Sequence, residues 1–266
     1  MPSIGKMTIR LRQHRMFWLR PPLIFEGFML GCMQRLVHKD DVVYDIGANI
    51  GLYSRFLTQI FHASNVYAFE PMESNRALLA ENLRNGGCAQ KVTIVPCAVG
   101  NEDGFCDFQV DDLTSNSGTL DAVTHGEPSQ SRHQYGLPPS TVRVEVVRLD
   151  TFIATKGVPP PNVIKMDVEG AEALALEGAR SLLLQHGPLL IIELHGAEVA
   201  CQVLQVLWSV NYHCFGYFMQ NGINAYKQFT PADLPSITGR YTTHFLVASP
   251  NEAILLQPIA DYVADA

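Results

Sequence analysis

Asp167, Glu193 and His195 are the residues whose types and spacing are best suited to moving a proton. Asp167 closes the apolar run Ile164-Lys165-Met166-Asp167, and the other two close Ile191-Ile192-Glu193-Leu194-His195. An Asp, a Glu and a His that converge can abstract a proton or hold a divalent cation. Either use needs a neutral imidazole at the moment of action. Glu193 and His195 are two positions apart, so on an extended strand they face the same side. The plainer reading of His195 is a strand-end histidine held in a hydrogen bond. Glu169 and Glu172, just after Asp167, fit equally well in the first turn of a helix, where carboxylates complement the helix dipole.

A second constellation lies in Asp45-Ile46-Gly47-Ala48-Asn49-Ile50-Gly51. Gly47 permits a tight turn and a close backbone approach. A helix starting after it presents free N–H groups. The glycine spacing is G-x-x-x-G, unlike the G-x-G-x-x-G of a dinucleotide site. Asp45 suits a ligand carrying an ammonium or sulfonium charge and would repel a pyrophosphate. Glu70 lies 19 residues beyond Gly51. At the end of a second strand its carboxylate can accept both hydroxyls of a ribose. Turn and acid together point to an adenosine-type ligand, against the bland alternative of a packing turn and a solvated acid.

The elements that must position these groups can be read from the periodicity. Residues 23–37 read as an amphipathic lead-in helix, with Phe25, Phe28, Met29, Cys32 and Leu36 at helical spacing. A strand over 41–47, a helix through Tyr53, Phe56, Leu57 and Ile60, and a strand over 66–70 follow. Pro71 fits the first position of the next helix, and Asn85-Gly86-Gly87 ends it. Residues 92–99 read as a third strand. The β-α-β-α-β alternation predicts a parallel sheet with helices on both faces. It resumes with a strand over 163–167, a helix over 171–184, a strand over 189–194 and a helix striped by Ala200, Val203, Leu204 and Leu207. The tail reads as strands over 212–218 and 242–248 with a turn at Asn221-Gly222, hence antiparallel. Between them the runs 105–110 and 142–147 look like exposed alternating strands. They bracket a polar insertion, residues 111–141, of the kind that is functional or disordered.

Composition limits what this scaffold can be. The chain has 266 residues, 47% hydrophobic and 17% charged, with 19 basic and 26 acidic residues and a net charge of −7. That is too apolar for disorder and too acidic for a general nucleic-acid binder. No apolar run reaches the roughly 18–20 residues a membrane span needs. The six cysteines form no C-x-x-C pair, so free thiols and a cytoplasmic location are expected. Lys6, Arg10, Arg12, Arg15 and Arg20 make the first 25 residues basic, with no acid among them. A solvated arm is expected there, and peripheral membrane contact is compatible with it.

In combination the motifs resemble the FkbM family of S-adenosylmethionine-dependent methyltransferases. The matching segments are VVYDIGANIGLYS (42–54), VYAFEP (66–71), VTIVPCAVG (92–100), SNSGTL (115–120), VRLDTFI (147–153), NVIKMDVEGAEALALEGA (162–179) and PLLIIELHG (188–196). The pair DIGANIG and DVEGAE is specific, where neither alone would be. The resemblance implies a class I methyltransferase (Rossmann-like) α/β fold, with a seven-stranded, mostly parallel sheet and an antiparallel C-terminal strand. It implies one methyltransferase domain over 38–266, after an arm and lead-in helix at 1–37. Asp45, Gly47, Ala48, Asn49 and Gly51 would hold the methionine part of the cofactor and Glu70, followed by Pro71, its ribose. Ala98 and Val99 would flank the adenine, and Asn116 and Ser117 would line the substrate side. The expected activity is O-methylation of a hydroxyl on a sugar, glycolipid or natural product, with His195 first among Asp167, Glu193 and His195 as the base. No metal ligands are assigned, although a divalent metal is compatible with that chemistry. The insertion is expected to cover the acceptor. Two alternatives stand beside this reading: an NAD(P)-dependent oxidoreductase, disfavoured by the glycine spacing and Asp45, and a non-catalytic cofactor-binding module.

Overall fold

The computed structural model describes residues 4–10, 27–111, 117–120, 123, 130–220, 223–235, 237 and 243–256. Its strands are Val42–Ile46 (β1), Asn65–Phe69 (β2), Val92–Val95 (β3), Ala98–Val99 (β4), Gly104–Asp111 (β5), Ser117–Leu120 (β6), Thr141–Val147 (β7), Val163–Met166 (β8), Leu189–Glu193 (β9), His213–Gln220 (β10), Ile223–Phe229 (β11) and Thr243–Ser249 (β12). The helices used below are Gly27–Leu36 (α1), Leu52–Gln59 (α2), Glu73–Asn85 (α3), Gln130–Gln134 (α4), Leu149–Lys156 (α5), Glu172–Glu177 (α6), Arg180–His186 (α7) and Ala197–Ser209 (α8).

The main sheet has the order β11-β10-β12-β9-β8-β1-β2-β3. β3, β2, β1, β8 and β9 run parallel, and β12 is inserted antiparallel between β9 and β10. The expected class I architecture is therefore present, with an eighth strand, β11, added at the edge antiparallel to β10. The turn expected at Asn221-Gly222 lies outside the described residues, between strands paired from Gln220↔Ile223 onward.

Alternation along the central strands builds a core on each face. Tyr44, Ile46, Ile164, Met166, Leu190 and Ile192 face α5, α6, α7 and α8. Val43, Val163, Leu189 and Ile191 face α1, α2 and α3. Strands covered on both sides read as continuous apolar runs, which is why they were visible in the sequence.

Two expected elements change. The run 92–99 divides at Pro96-Cys97: β3 pairs with β2, and β4 pairs instead with β7 in a second sheet of order β4-β7-β5-β6. Proline has no N–H for the ladder, so pairing stops there. The helix expected over 171–184 divides into α6 and α7 at Gly178. A Cβ on Gly178 would lie 1.9 Å from the carbonyl oxygen of Gly100, so the close approach of that loop requires glycine. The runs 105–110 and 142–147 pair with each other as β5 and β7.

The basic arm also departs from expectation over residues 4–10. The Arg55 guanidinium, buried on α2, donates to the carbonyls of Ile4 and Lys6. Asn82 on α3 bonds both the N–H and the carbonyl of Thr8, at 2.6 and 3.0 Å, and also the carbonyl of Ile50. This stretch is fastened across α2 and α3, because two buried polar side chains need its backbone groups. Among the described residues no helix is long and apolar enough to cross a membrane, and all six cysteines are free.

Candidate active site

A cavity of about 580 Å³, continuous with solvent, opens at the carboxyl ends of β1, β2 and β8. This is where ligands sit in open α/β sheets. Gly47, Asn49, Glu70, Pro71, Ala98, Val99 and Asp167 line it, all of them expected there. Phe108, Gly118 and Leu120 of the second sheet form a further wall. The break at Pro96 takes Cys97, Ala98 and Val99 out of the main sheet and onto the cavity surface. Burial pushes the Cys97 thiol up to about 11, so it stands as a neutral thiol.

The loop after β1 spends its polar groups on itself. The N–H groups of Gly47 and Ala48 both donate to the Phe69 carbonyl at 3.0 Å, and that of Gly51 to Ala48. The Asn49 N–H donates to Glu70 Oε2 at 2.9 Å. These loop N–H groups are therefore engaged and tie the loop to β2. Gly47 has φ 78°, and a Cβ there would lie 1.8 Å from the Asp167 carbonyl oxygen. Gly51 has φ 88°, with Leu79 Cδ1 2.4 Å from a Cβ position. Both glycines serve close internal packing. Asn49 Oδ1 is buried at the cavity wall with no hydrogen-bond partner among the described residues.

Asp45 does not reach the cavity surface. It is fully buried, accepts a 2.6 Å hydrogen bond from Ser54, and is ion-paired at 3.2 Å with the buried Lys165. Lys165 also donates to the Gly47 carbonyl at 3.0 Å and lies 4.7 Å over the Tyr53 ring. Burial alone would lower its pKa, but the charges of Asp45, Asp167 and Glu193 raise it. Asp45 is thus answered within the protein and anchors the loop from beneath.

Glu70 is 5% exposed. Its Oε1 accepts from the Met72 N–H at 2.9 Å and from Asn75 Nδ2 at 3.4 Å. Burial pushes its carboxyl up to about 7, against the pull of these hydrogen bonds. Of a carboxylate's roughly four acceptor positions, Asn49, Met72 and Asn75 fill three, leaving one for a ligand.

Across the cavity, Asp167 follows β8 and His195 follows β9. His195 Nδ1 is 2.7 Å from Glu172 Oε1, while Nε2 faces Asp167 Oδ1 at 3.7 Å and Glu169 Oε2 at 3.5 Å. Burial would lower the imidazole pKa. The Glu172 hydrogen bond and the three carboxylate charges outweigh it and raise the ring to about 10. These carboxylates favour the protonated ring over the neutral base expected from the sequence. Glu193 does not join the Asp167–Glu169–His195 group; its charge acts on Lys165. Glu172 also accepts the Gly170 N–H at 3.1 Å, so the helix-start reading of this residue holds alongside its grip on His195. Asn116 lies outside the described residues. Ser117 starts β6, opposite Asp111.

Lys165 is the site residue for which the sequence offers no role, while Glu169 and Glu172 read there as helix-start acids at least as well as catalytic ones. A lysine inside the apolar run Val163-Ile164-Lys165-Met166 was the available signal for the first, since a buried charge needs a partner.

Residues 45–214 match the model of the methyltransferase FkbM domain. The chain is 30% identical over 172 residues to the hexuronic acid methyltransferase AglP of Haloferax volcanii, covering 64% of this chain and 62% of that protein. It is 26% identical over 147 residues to the 2-O-methyltransferase NoeI of Sinorhizobium fredii, covering 54% and 59%. It is 31% identical over 155 residues to the 31-O-demethyl-FK506 methyltransferase FkbM of Streptomyces tacrolimicus, covering 52% and 59%. The matches thus span about three fifths of the length of each relative.

Proposed function

The chain belongs to the methyltransferase FkbM domain family, and from that premise we propose that it methylates a hydroxyl oxygen on a sugar, glycolipid or natural-product acceptor, using S-adenosylmethionine. The residues present fit that cofactor. The carrying observation is Glu70, a buried carboxylate at the cavity wall with acceptor capacity to spare. The unpartnered Asn49 Oδ1 offers a second acceptor, suited to the ammonium group of the methionine part. Ala98, Val99 and Met72 supply flat apolar walls for an adenine.

When bound, the cofactor supplies an electrophilic methyl group on a sulfonium. The chain's own residues orient the reactants and exclude water. Glu70 accepts a ribose hydroxyl at its remaining acceptor position and fixes the cofactor's position along β2. Asp167 stands two strands away across β1, about 10 Å at ordinary strand spacing. It lines the cavity with Glu169, so these carboxylates can receive the hydrogen of an acceptor hydroxyl. Oxygen is the favoured acceptor atom, because a hydroxyl needs such anionic help more than an amine does. Two of the three relatives carry "2-O" and "31-O" in their names, and the third is named for a hexuronic acid.

The test is transfer of labelled methyl from S-adenosylmethionine to a panel of uronic acids, neutral sugars and macrolide alcohols. Label recovered as an alkali-stable methyl ether supports the reading. Label confined to nitrogen or carbon, or binding of NAD with S-adenosylmethionine ignored, overturns it. Cofactor binding with no transfer to any acceptor favours a binding module.

A further inference from the structure

We propose that Asp167, Glu169 and His195 Nε2 form a binding site for a divalent cation of the Mn²⁺ type, with Glu172 as the positioning carboxylate behind the histidine. One ligand atom from each of the three residues lies within 4.8 Å of the other two. Nε2 is 3.5 Å from Glu169 Oε2 and 3.7 Å from Asp167 Oδ1. Metal–ligand bonds of about 2.1 Å set at right to tetrahedral angles separate ligand atoms by about 3.0–3.4 Å. The two separations from Nε2 thus exceed that range by only a few tenths of an ångström, and the third lies within 4.8 Å.

The independent observation is Glu172. It is fully buried and directed at the cluster, with Oε1 2.7 Å from His195 Nδ1. Its Oε2 has no hydrogen-bond partner among the described residues. A carboxylate bonded to the far nitrogen of a metal-ligating imidazole is a recurrent arrangement. It fixes the ring's orientation and makes the near nitrogen a better ligand. Here it leaves Nε2 aimed between two carboxylates. Binding the ion releases any proton on Nε2. Mixed imidazole and carboxylate donors suit Mn²⁺ and its neighbours better than Ca²⁺, which prefers oxygen alone.

Asp167 and Glu169 both line the cavity, so an ion held there would have open positions toward it. It would take the acceptor hydroxyl as a further ligand and lower its pKa, the proton leaving to bulk water. That role rests on the methyl transfer proposed above; the site itself rests only on these four side chains.

The experiment uses the full chain and Mn²⁺ alone, following loss of the free-ion electron paramagnetic resonance signal. Binding of S-adenosylhomocysteine is measured in parallel by calorimetry. One saturable equivalent of Mn²⁺ is expected, with nitrogen coupling in the pulsed spectrum that disappears in His195→Gln. Glu169→Gln, at a half-exposed position, should weaken Mn²⁺ without disturbing the fold. Glu172→Gln should weaken it about 10–100-fold. Retained S-adenosylhomocysteine affinity in each variant certifies folding. Absence of saturable Mn²⁺ binding, or equal affinity in Glu169→Gln and His195→Gln, overturns the proposal. Mn²⁺ bound with S-adenosylhomocysteine ignored would sink the methyl-transfer reading and leave the cation site standing; the reverse result would do the opposite.

Discussion

On the proposed assignment of Glu70 to the cofactor ribose, its buried carboxyl makes cofactor affinity depend on pH. Burial holds its pKa at about 7, against an ordinary 4.5. Its two oxygens already accept the N–H groups of Asn49 and Met72 at 2.9 Å. Asn75 Nδ2 is a third donor, at 3.4 Å, so a ribose hydroxyl needs the one acceptor position left on a carboxylate, and the binding-competent form is ionised. Below pH 7 a proton must leave first, and each pH unit costs about 1.4 kcal/mol. From pH 8 down to 5.5 the affinity for S-adenosylhomocysteine should fall about 30-fold, or about 2 kcal/mol. The sign for the free protein is opposite. Its folded pKa is raised, so folding loses up to about 3 kcal/mol as pH climbs from 4.5 through 7. Calorimetry across pH 5.5–8, in buffers of different ionisation heat, reads both affinity and released protons. Glu70→Gln is the control. It keeps the shape but sets an amide NH₂ against one of the two backbone donors. It should bind about 10–100-fold more weakly at pH 8 and lose the slope, leaving only the ligand's own titration. A wild-type affinity flat between pH 5.5 and 8, or the same slope in Glu70→Gln, would refute the assignment of Glu70 to the ribose.

Two other outcomes follow from the same geometry. Lys165→Met strands the buried Asp45 carboxylate with Ser54 as its remaining hydrogen-bond donor. Urea denaturation should show a loss of about 3–5 kcal/mol, largely recovered in Asp45→Asn/Lys165→Met; unchanged stability in the single variant would contradict the pairing. Gly118 and Leu120 of β6 line the cavity, so amide exchange of residues 117–120 should slow several-fold with S-adenosylhomocysteine. Equal exchange with and without ligand would separate the insertion from the site.

What the sequence made legible was local. The strands around Val43, Ile164 and Ile191 are covered on both faces and write themselves as apolar runs. The acids at their ends mark the carboxyl edge, because a charged residue ends such a run. Pro96 and Gly178 announce the breaks they cause, but composition around them stays apolar and periodic, so the runs look continuous. The illegible features are pairings between distant residues. Glu172 has a sufficient local explanation as a helix-start acid. Only the fold brings His195, 23 residues away, onto its carboxylate. Residues 4–10 look like a solvated basic arm because their partners, Arg55 and Asn82, lie 49 to 74 positions along the chain.

Those pairings also redistribute the acids along the carboxyl edge. Asp45, Glu70, Asp167 and Glu193 look from the sequence like one anionic lining for a sulfonium. In the fold Lys165 answers Asp45 directly and feels the charge of Glu193, at the base of the site. Glu70 is half neutralised near pH 7 by its own burial. With Asp45 offset by Lys165, Glu70 is left as the carboxylate facing the ribose, and its ionised form is the one that binds. Carboxylates gather instead on the β8 and β9 side, where Asp167, itself 4.0 Å from Lys165, stands with Glu169 and Glu172 around a single histidine. A site built only to bind the cofactor has no need of three carboxylates there. An anionic cluster at the acceptor's end of the cavity is what activating a hydroxyl requires, by accepting its hydrogen or by holding a cation that loosens it. The placement of charge thus argues for a hydroxyl acceptor independently of the relatives' names.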